Sequence, residues 1–145
     1  MNSKILLRRS YQKTFEILQT ALKEMPMQGW LKTIREILGM TSIQMAEKLN
    51  ISQPRIASME KEEKNIKIST MERIAESLNC DFVYAFIPRE KIDDIIYNQA
   101  KKKAEKILSR TKKNMALENQ AAEDSALLED IIQELLKGNI ARIWD

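Results

Sequence analysis

Apolar residues recur at steps of three and four through the first 25 positions of the chain. Charged residues fill the gaps, and the apolar set is Leu7, Tyr11, Phe15, Leu18, Leu22 and Met25. This spacing places the set on one face of a helix, so we predict a long amphipathic helix from Ser3 to Met25, ended by Pro26 and Gly29. We interpret the stripe as core or dimer interface, and not as a ligand groove.

Four shorter amphipathic helices are predicted between Trp30 and Asn79. In chain order they are Trp30 to Leu38 ahead of Gly39, Thr41 to Leu49, Ser52 to about Lys61, and a helix that begins at Ser69. Thr41 and Gln44 have the spacing of a capping box, and Ser52 is a good N-cap residue. The residues predicted to face inward are Ile56, Met59, Met71, Ile74, Ala75 and Leu78.

A short apolar run follows these helices at residues 81–88. Its six consecutive members are Phe82, Val83, Tyr84, Ala85, Phe86 and Ile87, placed before Pro88. Such a run favours a β-strand, although the end of a buried helix gives a similar pattern. A single strand cannot pair its own edges, so we predict that it pairs antiparallel with its copy in a second subunit.

The last third of the chain is predicted to form a basic helix, a linker and an acidic amphipathic helix. The basic helix is predicted from Arg89 to about Met115, the linker over 114–125, and the last helix from Ala126 to Lys137 before Gly138. For the basic run from Lys101 to Lys113 a solvated face is favoured over a second nucleic-acid contact. The last helix fits two readings equally, docking on its own dimer or on a partner.

These patterns predict a mainly α protein of five segments. They are an N-terminal amphipathic helix (1–29), a helix-turn-helix region (30–80), a dimerisation strand (81–88), a basic helix (89–115), and an acidic linker with a C-terminal helix (116–145). No stretch approaches the roughly 18 apolar residues that would span a bilayer, and no signal peptide is recognisable. We therefore expect a soluble, cytoplasmic protein.

Composition argues against catalysis. The 145 residues include no histidine and one cysteine, which excludes His-based triads and disfavours zinc sites. We expect no cofactor and no metal, and we interpret Cys80 as a buried spectator. No acidic pair has a companion base or a metal-ligand spacing, so Glu62, Glu63, Asp93 and Asp94 are taken as surface charges.

The net charge of +3 is a sum of unlike parts. Residues 30–90 carry nine basic and nine acidic side chains, residues 91–113 carry eight and three, and residues 114–145 carry two and seven. A neutral reading region predicts only a moderate salt dependence of DNA binding.

Residues 40–65 have the layout of a helix-turn-helix. A capped helix is followed by a short turn at Asn50 and Ile51 and by a second helix that starts polar. Ala46 lies where the two helices approach closely, and Ile51 fills the turn. Residues 30–80 resemble the lambda-repressor-like XRE family, on the run Met45-Ala46-Glu47-Lys48-Leu49 and Ile51-Ser52-Gln53.

The resemblance implies a structural ion pair between Arg35 and Glu60. It also has two departures, because the usual Gln at the start of the second helix is Ser42 and the usual Gly after the recognition helix is Glu62.

In such folds the first turn of the third helix points into the major groove of DNA. The base-reading residues predicted on this ground are Gln53, Pro54, Arg55 and Ser58. Gln53 has the geometry to pair with adenine, Arg55 to reach guanine or a phosphate, and Pro54 to contact a thymine methyl. The predicted phosphate-binding residues are Thr41, Ser42, Gln44, Ser52, Lys61, Lys64 and Asn65.

A longer resemblance covers nearly the whole chain. Gly29-Trp30-Leu31 and the run from Val83 to Arg89 are similar to the bacterial "mobile mystery protein A" family. The resemblance implies an antitoxin-like protein whose partner is a Fic-domain protein. Three Ser or Thr to Glu pairs have the spacing of a Fic-inhibitory motif, but Met25, Glu63 and Asp130 follow them, so the motif is incomplete.

Four functions are thus open from the sequence. The first is a homodimeric transcriptional repressor that binds a palindromic operator in double-stranded DNA and regulates its own operon. The second is an interaction protein that silences a Fic partner, with DNA binding secondary. The third, an enzyme, lacks histidine and a nucleotide loop; the fourth, an RNA-binding adaptor, has only Tyr97 near its lysines for stacking.

Overall fold

The computed structural model describes residues 3–113 and 121–145, and these residues are mainly helical, as predicted. The α-helices are α1 (Ser3–Leu22), α2 (Trp30–Ile37), α3 (Ser42–Leu49), α4 (Gln53–Lys61), α5 (Ile68–Ser77), α6 (Ile92–Lys113) and α7 (Ala121–Lys137). Two 3₁₀ helices cover Glu63–Asn65 and Ile140–Trp144. Among the helices of the described residues, none combines the length and apolar character needed to cross a bilayer.

The chain divides into two compact units. Leu18–Ile87 forms one, called here the central unit, and Met1–Ile17 with Pro88–Asp145 forms the other, the flanking unit. The buried core of the central unit is Leu31, Met45, Ala46, Ile56, Met71, Ile74 and Leu78. Each of α2 to α5 contributes to it, so four short helices that could not persist alone are held by one shared apolar cluster.

Helix ends in the central unit follow the local sequence closely. Asn50 adopts φ 56° after α3, and its backbone N–H donates to the α3 carbonyls, which turns the chain sharply into α4. Glu62 stands where the XRE family usually has a glycine. Its φ of −117° is open to any residue, so no glycine is needed there. One start differs: α5 begins at Ile68, with Lys67 and not Ser69 at its N-cap.

The start of α2 is capped by a residue distant in sequence. Gly29 occupies the N-cap and has no side chain to accept a hydrogen bond. The carboxylate of Glu63 accepts instead, from Trp30 N at 3.0 Å and from Leu31 N at 2.6 Å. Glycine suits this position for two reasons. Its φ of +88° is one that residues with a Cβ rarely adopt, and a Cβ there would lie 2.8 Å from Glu63 Oε2 and would disturb the cap.

Two acidic residues assigned to the surface are therefore engaged. Glu63 is a helix cap, which corrects its assignment as a surface charge. Asp93 keeps its exposure, yet its Oδ1 lies 3.4 Å from Arg8 Nε, an ion pair that adds little because water screens it.

The flanking unit is built around α6 and α7. Its buried core is Ala100, Ala104, Ile132 and Ile143. The two alanines let α7 approach α6 closely, and Tyr97 Oη donates to Glu129 at 2.8 Å across the same contact. The inner face of the last helix therefore packs within its own chain.

The bounds of these elements differ from the predicted ones at three places. α6 begins at Ile92 and not at Arg89, and the Ile92 N–H donates to Gln12 Oε1, 3.1 Å away. α7 begins at Ala121, so 121–125 is helix and not linker; alanines and acidic residues favour a first helical turn. The rest of the linker and Met115 lie outside the described residues. The 3₁₀ helix Ile140–Trp144 was not predicted, and it buries Ile143 completely.

Residues 81–88 are neither helical nor paired with another strand within this chain. The strand therefore stays a prediction. Its large apolar side chains at Val83, Tyr84 and Phe86 are exposed, by 82%, 68% and 95%.

The apolar stripe of α1 also faces outward. The helix buries no residue, and Leu7, Tyr11 and Leu22 are each about half exposed. The reading of the stripe as core does not hold at these positions, and its reading as an interface stays a prediction.

The cap at α2 gives a stability prediction. Glu63→Ala removes both acceptors and a negative charge from the start of the helix, so we expect the free energy of unfolding to fall by about 1–2 kcal/mol. Urea unfolding followed by circular dichroism measures it. Glu62→Ala is the matched control, since that carboxylate is exposed, and should change stability by less than about 0.5 kcal/mol. Equal losses in both variants would remove the cap assignment.

Candidate nucleic-acid interface

The polar residues in the first turn of α4 are exposed. Ser52 caps it, with the hydroxyl oxygen accepting from Arg55 N at 3.3 Å. Pro54 stands in the first turn, where its missing N–H has no helical partner to lose. The side chains of the four predicted base-reading residues are all exposed: Gln53, Pro54, Arg55 and Ser58.

The preceding helix, α3, is also capped at its N-terminus. Thr41 Oγ1 accepts from Gln44 N at 3.1 Å, and Gln44 Oε1 accepts from Thr41 N at 2.8 Å, so the predicted capping box is formed. The cap occupies the acceptor atoms of both side chains. It leaves the amide group of Gln44 and the first N–H groups of α3, near the half-buried Ser42, as donors for an anion.

Very little apolar surface holds α4 in place. Ile56 is the buried residue of this helix, and Met59 packs on the core beside it. The other tie is ionic: Arg35 Nε donates to Glu60 Oε1 at 2.6 Å and Nη2 to Oε2 at 3.2 Å. Both side chains are nearly buried, at 13% and 12% exposure.

The ion pair also fixes the chain between α2 and α3. Arg35 Nη1 donates to the carbonyl of Met40 at 3.2 Å, so one guanidinium joins three segments. The hydrogen bond with Glu60 raises the pKa of Arg35 above its ordinary value, and burial opposes this only in part. A two-pronged contact of this kind fixes orientation as well as distance.

Comparison with family models agrees with this geometry. Residues 31–84 match the model described as helix-turn-helix. This segment is a helix-turn-helix domain. The match supports the resemblance to the XRE family and a DNA-binding transcription regulator. Comparison with curated proteins and with solved structures gave no match.

The end of α4 and the 3₁₀ helix Glu63–Asn65 of the helix-turn-helix domain carry the remaining phosphate candidates. Lys61, Lys64 and Asn65 are exposed. Of the two acidic residues that oppose an anion there, Glu62 is exposed, whereas Glu63 turns its carboxylate onto the start of α2. This segment is thus less acidic toward a phosphate than its sequence indicates.

Glu63 is the residue that sequence reasoning missed. The sequence signal for such a cap is Gly29 before Trp30, because a glycine at the start of a helix has no side chain that could cap it. Such a start needs an acceptor from elsewhere, but the sequence does not say which of the carboxylates supplies it.

An apolar groove of about 390 Å³ lies between α2, α5 and the segment after α5. The residues at its mouth include Trp30, Phe82 and Val83. Cys80, half-buried in the same wall, has its Sγ 3.4 Å from the carbonyl oxygen of Leu78. The predicted dimer strand therefore starts at the rim of this groove.

Two other kinds of site find little support in the geometry. In the described ranges, no cluster of three or more acidic or cysteine side chains is placed to hold a metal ion. Tyr97, the one aromatic near the lysines of α6, is hydrogen-bonded to Glu129 and packs on the core of the flanking unit. Its ring is engaged there, which disfavours an RNA-stacking role.

Proposed function

We propose that this protein is a sequence-specific, DNA-binding transcriptional repressor that regulates its own operon. The observation that carries the proposal is the exposed polar start of α4 inside a helix-turn-helix domain. Gln53 pairs with N6 and N7 of adenine, Arg55 with guanine or a phosphate, Pro54 with a thymine methyl, and Ser58 with the next base edge. The absence of histidine from the sequence argues for binding and not catalysis.

The phosphate contacts in this proposal hold the domain in register on the duplex. The N–H groups at the start of α3, with Gln44, bind one phosphate, and Ser52 binds beside the reading residues. Lys61, Lys64 and Asn65 bind from the end of α4 and the 3₁₀ helix that follows. These contacts carry no sequence information, so their loss should weaken binding to all sequences equally.

The reading helix is tested by footprinting on the region upstream of the protein's own gene. Gln53→Ala and Arg55→Ala should each weaken binding to the protected site by about 1–3 kcal/mol, because each removes a base contact. Gln19→Ala and Arg9→Ala are the matched controls, since both residues are exposed on α1. Unchanged binding in the α4 variants would contradict the assignment.

We further propose a homodimer joined through residues 82–87. The rings of Phe82 and Tyr84 lie on one side of the chain with centroids 6.4 Å apart, as alternate residues of an extended segment do. Antiparallel pairing with a second copy would satisfy the backbone and cover Val83, Tyr84 and Phe86. Two reading helices related by a twofold axis then meet a palindrome with half-sites some 34–36 Å apart.

Light scattering tests the dimer. Tyr84→Pro removes a backbone donor and fixes φ, so it should convert the dimer to a monomer, whereas Tyr84→Phe should remain dimeric. Circular dichroism checks that both variants keep their helices. A monomeric wild type, or a dimeric Tyr84→Pro variant, would contradict strand pairing.

A second candidate function is that of an antitoxin-like partner of a Fic-domain protein. It rests on the resemblance to the "mobile mystery protein A" family and on the exposed apolar face of α1 at Leu7, Tyr11 and Leu22. An apolar helix face at this spacing suits a groove on a partner protein.

Co-purification with a Fic-domain protein encoded beside the gene tests this candidate. Tyr11→Glu should abolish co-purification and leave operator binding intact, because it places a charge within the apolar face. Deleting residues 114–145 is a poor test, since it would remove Ile132 and Ile143 from a core. Retained co-purification with Tyr11→Glu, alongside loss with Leu127→Glu on α7, would place the contact on α7 instead.

A further inference from the structure

The basic side chains of α6 lie on the face of the helix that the core does not use. Ala100 and Ala104 are fully buried against α7 and the last 3₁₀ helix. Lys102, Lys106 and Arg110 are exposed, and each follows the previous one by four residues. Such residues stack along one helix face at a rise of about 6 Å per step, so their charges form a row about 12 Å long.

This row lines an open furrow of about 670 Å³ beside the last 3₁₀ helix. Two of the polar residues in the furrow have structural contacts: Gln99 Nε2 donates to the Ile143 carbonyl at 2.8 Å, and Lys103 Nζ to the Asp145 carbonyl at 3.2 Å. These bonds hold the 3₁₀ helix on α6. Ser109 adds a hydroxyl, and two acidic residues, Glu105 and Asp145, also line the furrow.

The three exposed cations have no acidic partner in the described part of the chain. No ion pair within 4 Å joins Lys102, Lys106 or Arg110 to a carboxylate there. A row of like charges held parallel on a rigid helix repels itself, and a polyanion relieves that repulsion.

We propose that this face of α6 is a second, sequence-independent surface that binds the phosphates of duplex DNA. The inference rests on the proposed function, since it concerns a chain that binds DNA. Residues 30–90 are neutral by count, with nine basic and nine acidic side chains, so the reading domain itself contributes little long-range attraction. The row on α6 supplies it.

Duplex DNA fits this face better than the alternatives. One strand of a duplex carries a charge every 3.4 Å or so along the axis, and a straight row about 12 Å long therefore faces several phosphates. An RNA loop would need an aromatic platform, and Tyr97 is held by Glu129. An acidic protein would complement the positive charge of the row but not its length and straightness. The experiment below distinguishes such a protein from DNA.

The experiment measures the affinity of the full chain for a fluorescein-labelled, mixed-sequence 30-bp duplex as salt is varied. The variant is Lys102→Gln, Lys106→Gln and Arg110→Gln together. The control is Arg9→Gln, Lys13→Gln and Lys23→Gln, which removes the same charge from exposed positions in α1 and in the turn that follows it. Circular dichroism verifies that both proteins are folded.

The wild type should show a slope of log K against log salt steeper by about 3 per protomer than the α6 variant, because three phosphate contacts are lost. Between about 50 and 200 mM salt this difference amounts to about a 40-fold larger loss of affinity in the wild type. The control should keep nearly the wild-type slope. Glu105→Gln should tighten binding at low salt, because it removes one of the two acidic side chains in the furrow that oppose a phosphate.

An α6 variant with the wild-type slope would overturn the proposal, as would equal changes in the α6 variant and the control. A wild-type slope combined with salt-sensitive capture of an acidic peptide by this face would assign it to a protein partner. Because the duplex has no operator, failure of the reading helix appears in the footprint, and failure of this proposal appears in the slope.

Discussion

The constraint on which this structure depends is that α4 must present its polar side chains to the outside and still keep a fixed position. A helix that exposes most of its surface has little apolar area to bury, and here only Ile56 is buried. The ion pair of Arg35 and Glu60 supplies what hydrophobic contact cannot. Breaking such a pair by removing one partner leaves a charge stranded in a nearly buried site, which costs several kcal/mol.

The same reasoning explains the acidic residue that follows α4. Glu63 follows α4 and reaches back to the first N–H groups of α2, the helix that also carries Arg35. The segment from α4 to Glu63 is thus joined to α2 at two points, one on each side of Glu62. A rigid attachment of this kind matters for DNA reading, because base contacts depend on side-chain positions to within a fraction of an ångström.

Local sequence signals predicted the helices of the central unit, the caps of α3 and α4, and much of the core. Thr41, Gln44 and Ser52 act on residues three positions away, so a pattern within the sequence reveals them. The resemblance to the XRE family implied the pairing of Arg35 with Glu60, which periodicity alone does not. The exposure of Gln53, Pro54, Arg55 and Ser58 followed from their place in the first turns of a helix whose inner face is Ile56 and Met59.

What could not be predicted depends on contacts that are distant in the chain. Glu63 caps a helix 32 to 33 residues away, and Gln12 caps one 80 residues away. Neither has a spacing that a sequence pattern would reveal. The burial of Ile143 likewise follows from its fit against Ala100 and Ala104, a property of packing and not of periodicity.

The exposed residues of α4 differ from these, because Gln53, Pro54, Arg55 and Ser58 belong to neither core. Under the proposed function, exchange of these four side chains would alter which DNA is recognised without removing a core contact, so new binding specificities would be accessible to this scaffold at little cost in stability.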